Sequence, residues 1–238
     1  LTGFPAKGPA AAPQNLLQVS MSRTAAFFDL DRTLIDVNSA ILWARSERRD
    51  GNLSLVQLAK VLYWAGLYHL SLVNAESTAE VALAHYRNRS TADLEHRARD
   101  WFHREIRHRL RPGARQALDW HRKAGHLLVL LTTSFHHAAR EAAETWGFDA
   151  WIANRPLEDG QGRMIGECEK PLCYGAGKVA RAEKWAEDNQ VTLQESYFYS
   201  DSYTDLPMLE RVGNPRVVAP DPRLRRLARS RGWPILSW

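Results

Sequence analysis

The chain has 238 residues, of which 45% are hydrophobic and 25% charged, with a formal net charge of +5. This length exceeds one minimal domain and fits a core with a modest inserted domain, and the apolar share is enough to build a hydrophobic interior. The positive balance attracts anions but falls short of a basic tail, and the Arg223, Arg225, Arg226 and Arg229 cluster lacks interleaved aromatic residues, so no nucleic acid is expected as partner. Cys168 and Cys173 are the only cysteines and have no His at zinc spacing, which excludes a disulfide framework and predicts reduced thiols in a reducing, cytoplasmic compartment. The most apolar longer stretch, Val61 to Val73, falls short of the about 20 residues that span a bilayer, so no transmembrane segment is expected.

Residues 1–20, rich in Ala, Pro, Gly and Gln, read as a flexible extension without a signal-peptide pattern. The apolar run Ala25 to Phe28 then predicts a strand that ends in two carboxylates, Asp29 and Asp31. An extended chain repeats every two residues, so both would point into one cleft. Their mutual repulsion would raise one pKa unless a divalent cation held both ionised, and hard oxygen ligands suit magnesium.

Helical periodicity takes over between Ala40 and Leu110. Leu55, Leu58, Ala59, Leu62 and Trp64 follow Gly51 and Asn52 at spacings of three and four. Asn74 with Ser77, and Ser90 with Thr91, are candidate caps for two further helices. These features predict an inserted helical-bundle domain over residues 38–110, with core packing of the bundle as the expected use of the apolar stretch that holds Tyr63, Trp64 and Tyr68.

Pro112 and Gly113 open the next helix, which runs to Gly125. His126 to Leu131 reads as a strand buried on both faces. A helix from Phe135 to Trp146 stops at Gly147, Ala150 to Ala153 makes another strand, and Glu158 to Gly162 makes a hairpin turn. Gly175 and Gly177 precede a helix starting near Lys178, Ser196 to Ser200 gives a third central strand, and Val217–Val218 and Ile235–Leu236 supply edge strands. The alternation predicts an α/β fold, a doubly wound parallel sheet formed by residues 21–37 and 111–238, whose ligands gather at the carboxyl ends of the strands. That architecture would bring Asp29, Asp31, Thr132 and Asp201 into one crevice.

The run Asp29, Leu30, Asp31, Arg32, Thr33 resembles the first signature of the haloacid dehalogenase superfamily, Asp-x-Asp-x-Thr after an apolar strand. Thr132 after a second apolar strand, Lys178, and Asp201 to Asp205 after a third follow in that family's order. The resemblance implies a Rossmann-like core and a phosphohydrolase in which Asp29 attacks phosphorus and Asp31 is general acid and base. It implies Mg2+ held by Asp29, the Asp31 backbone carbonyl and Asp201, with Asp205 ligating directly or through water. Thr132, helped by the backbone of Thr133 and Ser134, would bind the phosphoryl group, and Lys178 would neutralise its charge.

A helical insert after the first motif, together with Ala153, Asn154 and Arg155, resembles the subgroup that contains phosphoserine phosphatase. Four positions depart from it. Asn38 stands where that subgroup carries a Glu, Thr133 and Ser134 stand where it has Gly-Gly, and Thr204 stands where it has Asn. The chemistry survives these changes, whereas the grip on phosphoserine itself does not carry over, and Asn38 becomes a candidate contact to the leaving group. The expected partner is a small phosphorylated metabolite, an amino-alcohol phosphate such as phosphoserine or histidinol phosphate. Phosphoryl transfer to an alcohol acceptor and a non-catalytic binding module on the same fold remain the alternatives.

Overall fold

A computed structural model describes residues 22–69 and 83–238. The flexible-extension reading of residues 1–20, the caps at Asn74 and Ser77, and the end of the apolar stretch beyond His69 lie outside the described residues.

The fold is built outward from β1 (Ala25–Phe28), every residue of which is buried. Parallel neighbours lie on both sides, β2 (Leu127–Phe135) and β6 (Tyr197–Ser200), with Phe28 in register with Leu130 on one and Tyr199 on the other. With β3 (Ala150–Asn154), β7 (Asn214–Val218) and β8 (Ile235–Leu236) they form a six-stranded parallel sheet in the order β3-β2-β1-β6-β7-β8. The order runs away from β1 in both directions, as expected of a doubly wound sheet.

Side-chain alternation on each strand divides the interior into two layers. On one face Ala26, Phe28, Leu128 and Leu130 pack with Leu118 of α4 (Pro112–Lys123) and Trp146 of α5 (His136–Trp146). On the other, Ala25, Phe27, Val129 and Leu131 meet Ala182 and Ala186 of α6 (Ala176–Asp188), Met208 and Leu209 of α7 (Leu206–Arg211), and Leu224 of α8 (Pro222–Ser230). Burying a side chain such as Phe28 contributes about 1.5–3 kcal/mol, and its ring also stacks on Tyr199 at 4.5 Å between centroids.

Three expectations change. Val217–Val218 is not an edge strand, because β8 pairs outside β7 and the edges are β3 and β8. β2 continues past Leu131 to Phe135, with a break in its register against β3 between those two residues. The apolar residues of α2 (Leu55–His69) are not buried in a bundle core among the described residues: Leu55, Val56, Leu62 and Tyr63 are exposed. The helix lies against α1 (Ser39–Arg49), and these four side chains are left outside that contact.

Ser90 caps α3 (Thr91–Trp101), accepting a hydrogen bond from the Asp93 amide, as its sequence position predicts. The insert is also joined to the hairpin of β4 (Pro156–Glu158) and β5 (Met164–Cys168), an element of the other half of the chain. Asn88 N–H donates to the Met164 carbonyl at 2.8 Å and Met164 N–H to the Arg89 carbonyl at 3.0 Å. Leu83, Tyr86 and Leu94 pack on Met164, Cys168 and Leu172. The thiols of Cys168 and Cys173 are free and buried.

Behind the sheet, His121 of α4 is fully buried between His126, at 2.8 Å, and the Tyr199 hydroxyl, at 2.9 Å. Burial, with smaller contributions from His126 and Arg216, pulls its pKa down to about 3. A group whose folded pKa lies below its unfolded value of about 6.5 stabilises the fold above pH 6.5, and that stability is lost as pH falls towards the folded pKa. His121→Gln is therefore expected to be less stable than the native chain at pH 7, with a gap about 2 kcal/mol smaller at pH 5. Urea unfolding of both proteins at the two pH values measures this, and a gap independent of pH would show that His121 does not titrate as described.

Candidate active site

The carboxyl ends of β2, β1 and β6 are adjacent, and each is followed by a residue or turn of the sequence motifs. β1 delivers Asp29, whose amide is fixed by the Tyr199 carbonyl of β6 at 3.0 Å. The chain then turns tightly through Leu30 to Leu34, with Arg32 in the left-handed region at φ 57°. This turn reverses the backbone between Asp29 and Thr33 and sends the two acidic side chains to different partners.

Asp29 points towards Lys178. The Lys178 ammonium, 1% exposed, donates to Asp29 Oδ1 and to Asp205 Oδ2, each at 2.8 Å. Ser200 Oγ donates to the same Asp205 oxygen at 2.7 Å. Lys178 reaches this position because α6 starts close to the preceding segment: a Cβ on Gly177 would lie 1.9 Å from the Leu172 carbonyl oxygen. Only glycine fits there, which gives the Gly-rich approach a steric reason.

Asp201 joins from the end of β6. Its amide donates to Thr33 Oγ1 at 3.0 Å, and that hydroxyl lies 3.4 Å from Asp201 Oδ1. Asp31 turns the other way, towards the start of α1. Ser39 donates to both its oxygens, from N–H to Oδ1 and from Oγ to Oδ2, at 3.0 Å each. Ser39 Oγ is also 3.0 Å from Ser134 Oγ, and the Ser134 amide donates to Thr132 Oγ1 at 3.1 Å. A continuous set of contacts thus runs from Asp31 to the end of β2. Asn38 is the N-cap of α1, with its carbonyl oxygen accepting from the Ile41 amide at 3.0 Å.

The electrostatics follow from burying several carboxylates near one cation. Burial raises Asp29 well above the usual carboxylate range; Lys178 opposes this, while Asp205 and Asp201 add to it. Burial lifts Asp31 to about 6 against the Ser39 hydrogen bonds. Burial, then Asp205, lifts Asp201 to about 7, with Arg32 opposing. Desolvation disfavours the charged form of Lys178, but Asp205 and Asp29 outweigh it and raise its pKa. One ammonium leaves this cluster short of positive charge, and an all-oxygen donor set of Asp29, Asp31 and Asp201 fits a hard divalent cation such as Mg2+. Asp205 Oδ2 already accepts from both Lys178 and Ser200, Asp29 Oδ1 accepts from Lys178, and both Asp31 side-chain oxygens accept from Ser39, which leaves the Asp31 backbone carbonyl as the group that residue could offer a cation.

Glu95, His136 and His137 form a separate group with potential ligand atoms within 4.8 Å of one another. The Trp151 indole donates to His136 Nδ1 at 3.2 Å, and the Arg140 guanidinium lies 3.6 Å from Glu95 Oε1, 3.3 Å from which stands His137 Nδ1. A neighbouring guanidinium and an occupied ring nitrogen make this an ion-pair contact between α3 and α5 better than a cation site.

Asp29, Asp31, Thr132, Thr133, Ser134, Lys178, Asp201 and Asp205 thus follow or end β1, β2 and β6 or are hydrogen-bonded to groups there, whereas Asn38 is placed as the cap of α1. The sequence assigns no role to Ser39 and Ser200, which hold Asp31 and Asp205, nor to Thr33 and Asn154, which it offers only as motif residues: Thr33 holds Asp201, and Asn154 donates to the Thr133 carbonyl at 2.7 Å. Thr33 stands inside the first motif and Ser200 directly before the last, and those positions were their only signal.

A parallel doubly wound sheet with clustered carboxylates and a buried lysine at its carboxyl edge defines a class of hydrolases. The sequence profile of the haloacid dehalogenase-like hydrolases matches residues 26–210, and the chain belongs to that family. It is 32% identical to the inhibition of morphological differentiation protein of Streptomyces azureus, over 92% of this chain and 80% of that protein. It is 31% identical to phosphoserine phosphatase SerB1 of Mycobacterium tuberculosis, over 95% of this chain and 75% of that protein. A crystal structure of a protein of unknown function from Bordetella pertussis superposes with a TM-score of 0.82 at 30% identity, covering 90% of this chain and 98% of that one.

Replacing the cation between Asp29 and Asp205 tests the electrostatic description. Lys178→Met should lower stability at pH 7 by about 3 kcal/mol, because it leaves buried carboxylates uncompensated. Without the ammonium both acids bind protons more readily in the folded state, so the deficit should shrink as pH falls towards 5. Thermal unfolding across that range reads the effect, and a variant as stable as the native chain at pH 7 would contradict it.

Proposed function

We propose that the chain is a magnesium-dependent phosphomonoesterase that hydrolyses a small organic phosphate through an aspartyl-phosphate on Asp29. The observation that carries this reading is the Lys178 ammonium held between Asp29 and Asp205 inside the buried acidic cluster. A bound Mg2+, held by Asp29, Asp201 and the backbone carbonyl of Asp31, with Asp205 ligating directly or through water, would supply charge neutralisation for an incoming phosphate.

Lys178 takes Asp29 Oδ1, which leaves Oδ2 to attack phosphorus. The phosphorus–ester oxygen bond breaks as the new bond forms, and the departing oxygen takes a proton from Asp31. Water then attacks the aspartyl-phosphate, giving its proton to Asp31 and releasing inorganic phosphate and the Asp29 carboxylate. A carboxyl lifted to about 6 suits a group that must first give and then take a proton near neutral pH. Thr132 and the backbone of Thr133 and Ser134 would bind the phosphoryl oxygens, and Lys178 would offset the charge that builds on them.

Residues 38–110 act in this reading as a cap over the core formed by residues 21–37 and 111–238, excluding bulk water during transfer. Asn38, the first residue of that segment, would present its amide group beside the leaving group. The substrate class we favour is an amino-alcohol phosphate, to which phosphoserine and histidinol phosphate both belong.

Phosphate release from a panel of phosphorylated metabolites, measured with and without Mg2+, tests the reading. Turnover should require the metal, and Asp29→Asn should lose at least about a thousandfold in kcat while staying folded. Hydroxylamine should trap an acyl phosphate in the native chain and not in this variant. Undiminished turnover by Asp29→Asn would refute the assignment of the nucleophile.

A further inference from the structure

The last part of β2 departs from regular pairing with β3 between Leu131 and Phe135, so its peptide groups are not all held by the sheet ladder. One of them is held by a side chain instead. Asn154, the last residue of β3 and 4% exposed, donates from Nδ2 to the Thr133 carbonyl at 2.7 Å. Its Oδ1 accepts from the Cys173 amide at 2.8 Å. One buried side-chain amide thereby joins the end of β2 to the segment that leads through Gly177 to Lys178. Both halves of the amide are used, and no other side chain of this size offers one donor and one acceptor in a fixed plane at neutral pH.

The bond to Thr133 has a directional consequence. A trans peptide is planar, with its carbonyl and the following N–H pointing in opposite directions. Fixing the Thr133 carbonyl on Asn154 fixes the Ser134 N–H on the other side, where it donates to Thr132 Oγ1. The Thr132 oxygen is then committed as an acceptor from the backbone, and its own hydroxyl hydrogen is left to donate outward. Were this peptide rotated, a carbonyl oxygen would face the same space and repel an anion.

We propose that Asn154 is a positioning residue for anion binding: it orients the Thr133–Ser134 peptide so that Ser134 N–H holds Thr132 Oγ1 and the Thr132 O–H is presented to a phosphoryl group. This inference rests on the phosphatase reading for the identity of its ligand. It concerns the binding of phosphate rather than its turnover, so the two can fail separately.

The experiment uses the full chain with Mg2+ and inorganic phosphate as the probe. Calorimetry should show phosphate binding weakened about tenfold or more in Asn154→Asp and Asn154→Leu, the loss expected for one misdirected buried group. The Asp variant keeps an acceptor for Cys173 but replaces the donor to Thr133 by a carboxyl oxygen and can add a charge, so Asn154→Leu, which removes the donor without adding charge, is read beside it. Mg2+ affinity, set by groups on the other side of the cluster, should stay within twofold of the native chain in both variants. A general loosening of the site would instead weaken phosphate and Mg2+ together and would overturn the proposal, as would native-like phosphate affinity in a folded variant. Should both variants fail to fold, amide NMR of the native chain decides: the Ser134 resonance moves on phosphate addition if the inference holds, and a Ser134 signal indifferent to bound phosphate overturns it. A native chain that binds phosphate through these groups yet hydrolyses no phosphate ester would sink the phosphatase reading and leave this inference standing. A chain that binds no phosphate would sink both.

Discussion

The buried ammonium of Lys178 is the interaction on which the rest of the site depends. Asp29, Asp201 and Asp205 are brought out of water on adjacent strands, and desolvating that much negative charge is prohibitive without a partner. Lys178 meets two of the three at 2.8 Å, and the remainder of the imbalance shows as raised pKa values at Asp29, Asp31 and Asp201. A site that is short of positive charge when empty is one that favours a divalent cation and polarises the phosphate it would bind. The same arrangement costs stability in the free protein and prepares it for its proposed ligand.

The fold supplies the geometry for this. β1 lies at the centre of the sheet and is buried on both faces, so Asp29 emerges at a fixed height between Thr132 on β2 and Asp201 after β6. The groups that carry charge are each locked by a neighbour: Asp201 by Thr33, Asp31 by Ser39, Asp205 by Ser200. Ser39 opens the first helix of the insert, so the segment that would cover the site also holds the carboxyl proposed to move the proton. Glu95 and His137 add to the contacts between insert and core, as does the β4–β5 hairpin, away from the chemistry.

Much of this was legible in the sequence because it rests on local patterns. Apolar runs ending in acidic residues marked β1 and β6, and Gly175 and Gly177 marked the helix start near Lys178, while the close approach at Gly177 came only from the structure. What escaped was non-local. The roles of Thr33 and Ser39 depend on partners that come into range only when the turn at Arg32 is made, and Asn154 acts through an irregularity in β2 that periodicity does not reveal. Val217–Val218 was expected at an edge because strand order is a property of the sheet and not of the strand. The apolar face of α2 was expected inside for its composition, although composition alone does not say what covers it.

The central claim is that side chains from the beginning of the chain and from its last third jointly hold one cation. Calorimetric titration of Mg2+ into the native chain and into Asp201→Asn tests this most directly. The account predicts one Mg2+ bound per native chain and a loss of at least about tenfold in affinity for the folded variant. Equal affinity in the two proteins, or no Mg2+ bound by either, would contradict it.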